Sequence, residues 1–109
     1  MTWRVETLDH SVVAEIAALP KKHQARYLRI VDLIEAVGLT DVGKPFVQKV
    51  HSKIWEIRVR ADGGISRALF VAMTSQRIVI VRVFIKKTQK TPHRGIALAI
   101  QRARRAGLV

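Results

Sequence analysis

KIWEIRVRADGGISRALFVAMTSQRIVIVRVFIKK, residues 53–87, decides the fold. Its first part alternates: Trp55, Ile57 and Val59 take one parity and Glu56, Arg58 and Arg60 the other. That period of two is the mark of a strand with one buried face. Asp62-Gly63-Gly64 is a turn signal, ISRALFVA follows as a second strand, and Thr74-Ser75-Gln76 separates it from a third, RIVIVRVFIK. The stretch therefore predicts a three-stranded antiparallel meander.

Upstream the periodicity is different. Trp3 and Val5 alternate with Arg4 and Glu6 as a short first strand. Asp9 or Ser11 can cap a helix through VVAEIAAL, which Leu19-Pro20 ends. A second helix is predicted in KKHQARYLRIVDLIEAVG, with Tyr27, Ile30, Val31, Ile34 and Val37 three or four apart and Gly38 as C-terminal cap. The two helices form an antiparallel hairpin, followed by a loop around Thr40 to Pro45. Downstream, a last helix begins near Pro92 and runs through GIALAIQRARRAG, with Arg102, Arg104 and Arg105 near its C-terminal end, where the helix dipole favours cations. The whole predicts a single α+β domain over residues 1–109: a small twisted antiparallel sheet with an N-terminal helical hairpin and a short C-terminal helix, the helices packed on one face of the sheet.

Charge narrows the function. The chain carries 20 Lys and Arg against 8 Asp and Glu, a formal net charge of +12. All the acids lie within residues 1–62, which net only +2; residues 63–109 hold ten Lys and Arg and no acid. A polyanion-binding face is the expected consequence, against a merely solubilising surface. Cysteine is absent, which excludes disulfides, thiolate metal sites and cysteine nucleophiles. His10, His23, His51 and His93 are scattered singly, so neither a metal nor a cofactor is expected. The start, MTWRVETLDH, has no apolar signal-like run, and IVIV and IALAI are far short of a membrane span, so a cytoplasmic protein is expected.

Strand parity places the cations. Arg58 and Arg60 point away from Trp55, Ile57 and Val59, Arg67 interrupts an apolar strand, and Arg82 shares parity with Phe84 and Lys86. A mid-strand arginine is almost never buried without a partner. The arrangement expected is one open cationic face of Arg58, Arg60, Arg67, Arg82 and Lys86, extended by Lys87 and Lys90. The alternative is that each arginine pairs singly with Glu56, Asp62 or solvent. Guanidinium and ammonium groups suit phosphates. Aromatic platforms for bases are limited to Phe84, Phe46 and Trp55, so backbone engagement is the better supported mode.

The strand KIWEIRV, the arginine in ISRALF, and above all FIKKTQKTP followed by the helix IALAIQRARR resemble the HigB-like branch of the RelE/ParE toxin superfamily, the phage-derived toxin-like proteins. The resemblance covers essentially the entire chain. It implies the toxin of a type II toxin–antitoxin pair, a metal-independent endoribonuclease that cuts mRNA on the ribosome and is held inactive by a cognate antitoxin, commonly one with a helix-turn-helix domain. It also implies that Arg58 and Arg67 stabilise the phosphate and that Lys86, Lys87 and Lys90 supply further contacts or proton transfer. Lys49, Lys53, Arg60, Arg82, Arg102, Arg104 and Arg105 are the further candidates for contact with mRNA or ribosomal RNA. Cutting beside a 2′-hydroxyl needs a base, cations around the phosphorane and an acid for the departing 5′-oxygen. Lys86, Lys87 or Lys90 are candidates for the base, and His51 and His93 are proton-transfer candidates by their chemistry alone. Many relatives have a tyrosine directly before the strand arginine; here Ser66 stands there, and Tyr27 is the only tyrosine. A gyrase inhibitor of the ParE type, or a catalytically inactive antitoxin- or nucleic-acid-binding module, are the alternatives.

Overall fold

A computed structural model describes residues 2–109 and gives nine elements. In chain order they are β1 (Arg4–Thr7), α1 (His10–Ala17), α2 (Lys21–Val37), α3 (Leu39–Val42), β2 (Val47–Lys49), β3 (Trp55–Ala61), β4 (Gly64–Met73), β5 (Arg77–Lys86) and α4 (His93–Arg105). Local chemistry sets several of the ends. Asp9 accepts a hydrogen bond from the Val12 N–H and so starts α1, and Gly38, at φ +87°, stops α2. A side chain at Gly38 would also collide with Trp3, whose Nε1 lies 2.7 Å from where a Cβ would stand.

The predicted meander is present, with Ala61 paired to Gly64 across the first turn and Met73 to Arg77 across the second. Two features of the sheet differ from expectation. It has five strands, in the order β1-β5-β4-β3-β2, and it is mixed, because β1 runs parallel to β5. The three-residue β2 adds to β3 from a segment whose Gly, Pro and Lys content reads as loop. The helical hairpin follows β1 and does not open the chain.

The helices also cover both faces of the sheet. On one face α1 and α2 bury Val12, Tyr27, Ile30 and Ile34 against Ile57, Val59, Ala68, Phe70, Ile78 and Ile80. On the other, α4 lays Ala99 and Ala103 on Leu69, Val71, Val79 and Val81. The reason lies in ALFV and IVIV, which are apolar at consecutive positions and so demand cover on both sides. The ladder between β4 and β5 is irregular: Leu69 pairs with Arg82 but Phe70 with Ile80, so Val81 is an extra residue, a bulge. Among the described residues no helix is long and apolar enough to cross a membrane.

Candidate functional site

Antiparallel register puts Arg58 directly opposite Arg67, and Arg67 opposite Phe84, on the face that α4 partly covers. Two guanidinium groups side by side need a counter-charge, and Glu56 provides it from within the sheet. Its carboxylate is 0% exposed and accepts from Arg58 Nε at 2.9 Å, from Gln48 Nε2 at 2.7 Å and from Thr91 Oγ1 at 2.6 Å. Arg67 Nε stands 3.6 Å from the same carboxylate and makes no hydrogen bond.

The expected open face is only partly realised. Arg67 has no exposed surface, and its Nη2 donates to the main-chain carbonyls of Thr88 and, at 2.9 Å, Gln89. Burial holds its pKa below the usual guanidinium value, and the charge of Arg58 adds to this against the pull of Glu56. In this position Arg67 ties down the loop after β5, and its side chain is closed off from solvent. Arg82 and Arg102 are likewise engaged: both bond Glu15 of α1, at 2.6 and 2.9 Å, and Arg102 also donates to the Val81 carbonyl. Glu15 accepts the Val83 N–H as well. Burial alone would push the Glu15 carboxyl up, but these hydrogen bonds and the two arginine charges outweigh it and leave it below the ordinary value.

The cations that remain accessible gather around the loop of residues 87–92. Lys86, Lys87 and Lys90 are exposed, and exposed Arg60 donates to the Gln89 side chain. Thr88 Oγ1 donates to the Lys90 carbonyl, so Thr88, Gln89 and Thr91 all hold the loop by hydrogen bonds. Beside this loop lies a cleft of about 260 Å³. His51, Arg58, Lys90 and His93 line it, together with Gln48, Thr91, Val50 and Ile96. Three separate parts of the chain thus meet there: the turn after β2, the middle of β3, and the start of α4.

A second, larger groove of about 640 Å³ runs between α2 and β3. Ile30, Leu33, Phe46 and Val59 form its apolar part, with Leu33 and Phe46 44% and 45% exposed. Arg26, Arg29, Lys44, Arg58 and Arg60 line it too, and no acid does. Gln48 and Arg58 are common to both cavities.

The other candidates lie apart. Lys49 sits over the Trp55 ring, 5.8 Å from its centroid, and Lys53 is exposed in the turn between β2 and β3. Arg104 and Arg105 are exposed about 17 Å from the cleft end of α4, at 1.5 Å per helical residue. Tyr27 is buried in the α2 face, which pushes its phenol up to about 12, and it contributes nothing to the cleft. Ser66 is tied on that same face to buried His23. His23 Nε2 donates to the Asp62 carbonyl at 2.8 Å, so in the neutral ring Nδ1 accepts from the Ser66 hydroxyl at 2.9 Å. No group of three or more His, Asp or Glu side chains suited to a metal ion occurs among the described residues. Gln48 and Thr91 are cleft groups that parity reasoning passes over, because both owe their position to Glu56.

No curated protein matches the chain. Among solved structures, a free-state mutant of the E. coli toxin RelE superimposes with a TM-score of 0.66 at 11% identity, covering 94% of this chain and 98% of that one. A chain of an archaeal RelE–RelB complex from Pyrococcus horikoshii superimposes with a TM-score of 0.53 at 23% identity, covering 78% of this chain and 96% of that one. Both likenesses concern the fold. Residues 14–104 match the family described as phage derived protein Gp49-like (DUF891), so the chain belongs to that family and is built on the RelE fold.

Proposed function

We propose that this protein is the toxin of a type II toxin–antitoxin pair, of the HigB-like branch, and that it cuts mRNA on the ribosome. The observation that carries the reading is the cleft, where two histidines, an arginine and a lysine from three chain segments meet. Those are the groups that RNA cleavage at a 2′-hydroxyl requires. One neutral imidazole, of His51 or His93, takes the proton from the 2′-oxygen as that oxygen forms its bond to phosphorus. The other, protonated, gives a proton to the 5′-oxygen as the P–O5′ bond breaks, leaving a 2′,3′-cyclic phosphate. Arg58 and Lys90 balance the charge that grows on the phosphorane oxygens. Lys86, Lys87 and Arg60 hold the flanking phosphates, Lys49 and Lys53 extend the track, and Arg104 and Arg105 face ribosomal RNA. Arg67 serves this chemistry by fixing the loop that carries Lys90. The work is done at the ribosome, and hence in the cytoplasm.

The partner reading rests on charge and shape. An acidic, partly apolar antitoxin segment fits the larger groove, whose charged lining residues are all cations and which exposes Leu33 and Phe46. The archaeal relative is itself seen as a RelE–RelB complex. A helix-turn-helix domain on the antitoxin would link neutralisation to DNA binding.

Induced expression tests the activity. The expected result is growth arrest with new transcript 5′ ends that disappear when translation is blocked, and their absence in His93→Ala and Arg58→Ala proteins that still fold. Loss of DNA supercoiling with intact transcripts would select gyrase inhibition instead.

A further inference from the structure

The proposed chemistry leaves one buried charged group without a role. Glu56 is fully buried in the middle of a sheet, where a carboxylate costs free energy unless it is paired and hydrogen-bonded. Its three hydrogen bonds go to Gln48 of β2, Arg58 of β3 and Thr91 of the loop before α4, and each of those residues lines the cleft. We infer that Glu56 is the positioning residue of the cleft: it fixes the Arg58 guanidinium and the start of α4 relative to one another before RNA arrives. This rests on the ribonuclease reading above.

The geometry gives two reasons. A guanidinium is planar, so holding Nε of Arg58 at 2.9 Å fixes the plane in which both Nη groups present their hydrogens. No side-chain hydrogen bond within the described residues engages those Nη groups, which leaves them for a phosphate. Thr91 is the second reason. Its hydroxyl, 2.6 Å from Glu56, anchors the chain two residues before His93, so one carboxylate sets both an arginine and a histidine of the cleft. Arg67, drawn to the other side of Glu56, holds Thr88 and Gln89 and completes the brace. Without the carboxylate, Arg58 and Arg67 face each other across the β3–β4 ladder with nothing between them to offset their repulsion.

The test separates rate from affinity. Wild type, Glu56→Gln and Thr91→Val proteins are compared on ribosomes carrying an mRNA, for single-turnover cleavage, and on ribosomes carrying its 2′-O-methyl counterpart, which cannot be cut, for binding. The cleavage rate of E56Q should fall on the order of tenfold to a hundredfold, as expected for a cleft group displaced by about an ångström. Affinity should stay within about threefold, because many exposed cations share the phosphate contacts. The 15N resonance of the Arg58 Nε–H should move in E56Q. An E56Q protein that cuts at the wild-type rate, loses rate and affinity together, or leaves that resonance in place overturns the inference. Should E56Q fail to fold, the E56Q/R67M pair, which removes the guanidinium left unpaired, is measured against R67M alone; the same gap in rate is expected, and equal rates overturn it. A wild-type protein that cuts nothing sinks the ribonuclease reading, whereas an E56Q protein as fast as an active wild type sinks only the role of Glu56.

Discussion

Substituting the two buried partners Glu56 and Arg67 should have very unequal effects. In Arg67→Met, Glu56 keeps Arg58, Gln48 and Thr91 as partners, and the Thr88 and Gln89 carbonyls lie on an exposed loop where water replaces the guanidinium. The loss is those two hydrogen bonds and a long one, 3.5 Å, from Arg67 Nη1 to the Ile65 carbonyl, set against a well-buried thioether, a destabilisation of about 1–2 kcal/mol. In Glu56→Met, Arg67 keeps its full burial and its charge but loses the carboxylate it is paired with, and three donors lose their acceptor. Breaking a buried pair in that way costs about 3–5 kcal/mol. The double variant removes both charges, so it should be more stable than the sum of the singles implies, with a coupling energy of about 1–3 kcal/mol. Urea unfolding followed by the fluorescence of Trp3 and Trp55 reads this directly. With a slope of roughly 2 kcal/mol per molar, E56M moves the midpoint down by roughly 2 M and R67M by less than about 1 M. Equal shifts for the two singles, or a double variant additive to within about 0.5 kcal/mol, would refute the reasoning.

Three further outcomes are expected. His51→Ala and His93→Ala, both at exposed positions, should each lower the cleavage rate on the order of a hundredfold to ten-thousandfold with little change in thermal midpoint, as measured by transcript-end mapping and calorimetry. Glu15 is depressed below its ordinary 4.5 in the folded state, so the stability it contributes is complete above that value and lost as pH falls through its lower folded-state pKa. Glu15→Gln should therefore flatten the acid limb of a melting-temperature profile taken from about pH 3 to pH 7, and an offset equal at every pH would contradict this. Replacing Lys86, Lys87 and Lys90 together by alanine should reduce the slope of log affinity against log salt by about 2 for single-stranded RNA, whereas an unchanged slope would place the phosphate contacts elsewhere.

Much of the fold is legible in residues 53–87 because alternation and turn chemistry act locally. Trp55, Ile57 and Val59 declare their face by parity, and Asp62-Gly63-Gly64 sets the register that brings Arg58 opposite Arg67. What the sequence withholds is set by distant partners. RVET carries no sign that it will run parallel to β5, and the three residues of β2 are too few for a period to show. Consecutive apolar residues in IVIV hide which helix covers which side, so the position of α4 opposite α2 emerges only in three dimensions. In the site, the shared face of Arg58 and Arg67 follows from parity, but their different fates do not. Arg67 is closed over by a loop 21 residues away, and Arg82 and Arg102 are claimed by Glu15 from 67 and 87 positions away. Glu56 shares the parity of Arg58 and is legible as a possible arginine partner, but nothing local says that it will serve Arg58 and Arg67 together or that Thr91 will reach it.

The capture of Val83 N–H and Val81 C=O by Glu15 and Arg102 has a consequence for colloidal behaviour. RIVIVRVFIK is a long β-branched segment, and β1 shields its outer margin only as far as Ile80. Beyond that point bare main-chain groups would invite the strand of a neighbouring molecule and, from there, fibril growth. Two side chains occupy those groups, so the protein keeps a segment of high amyloid potential without offering it a template.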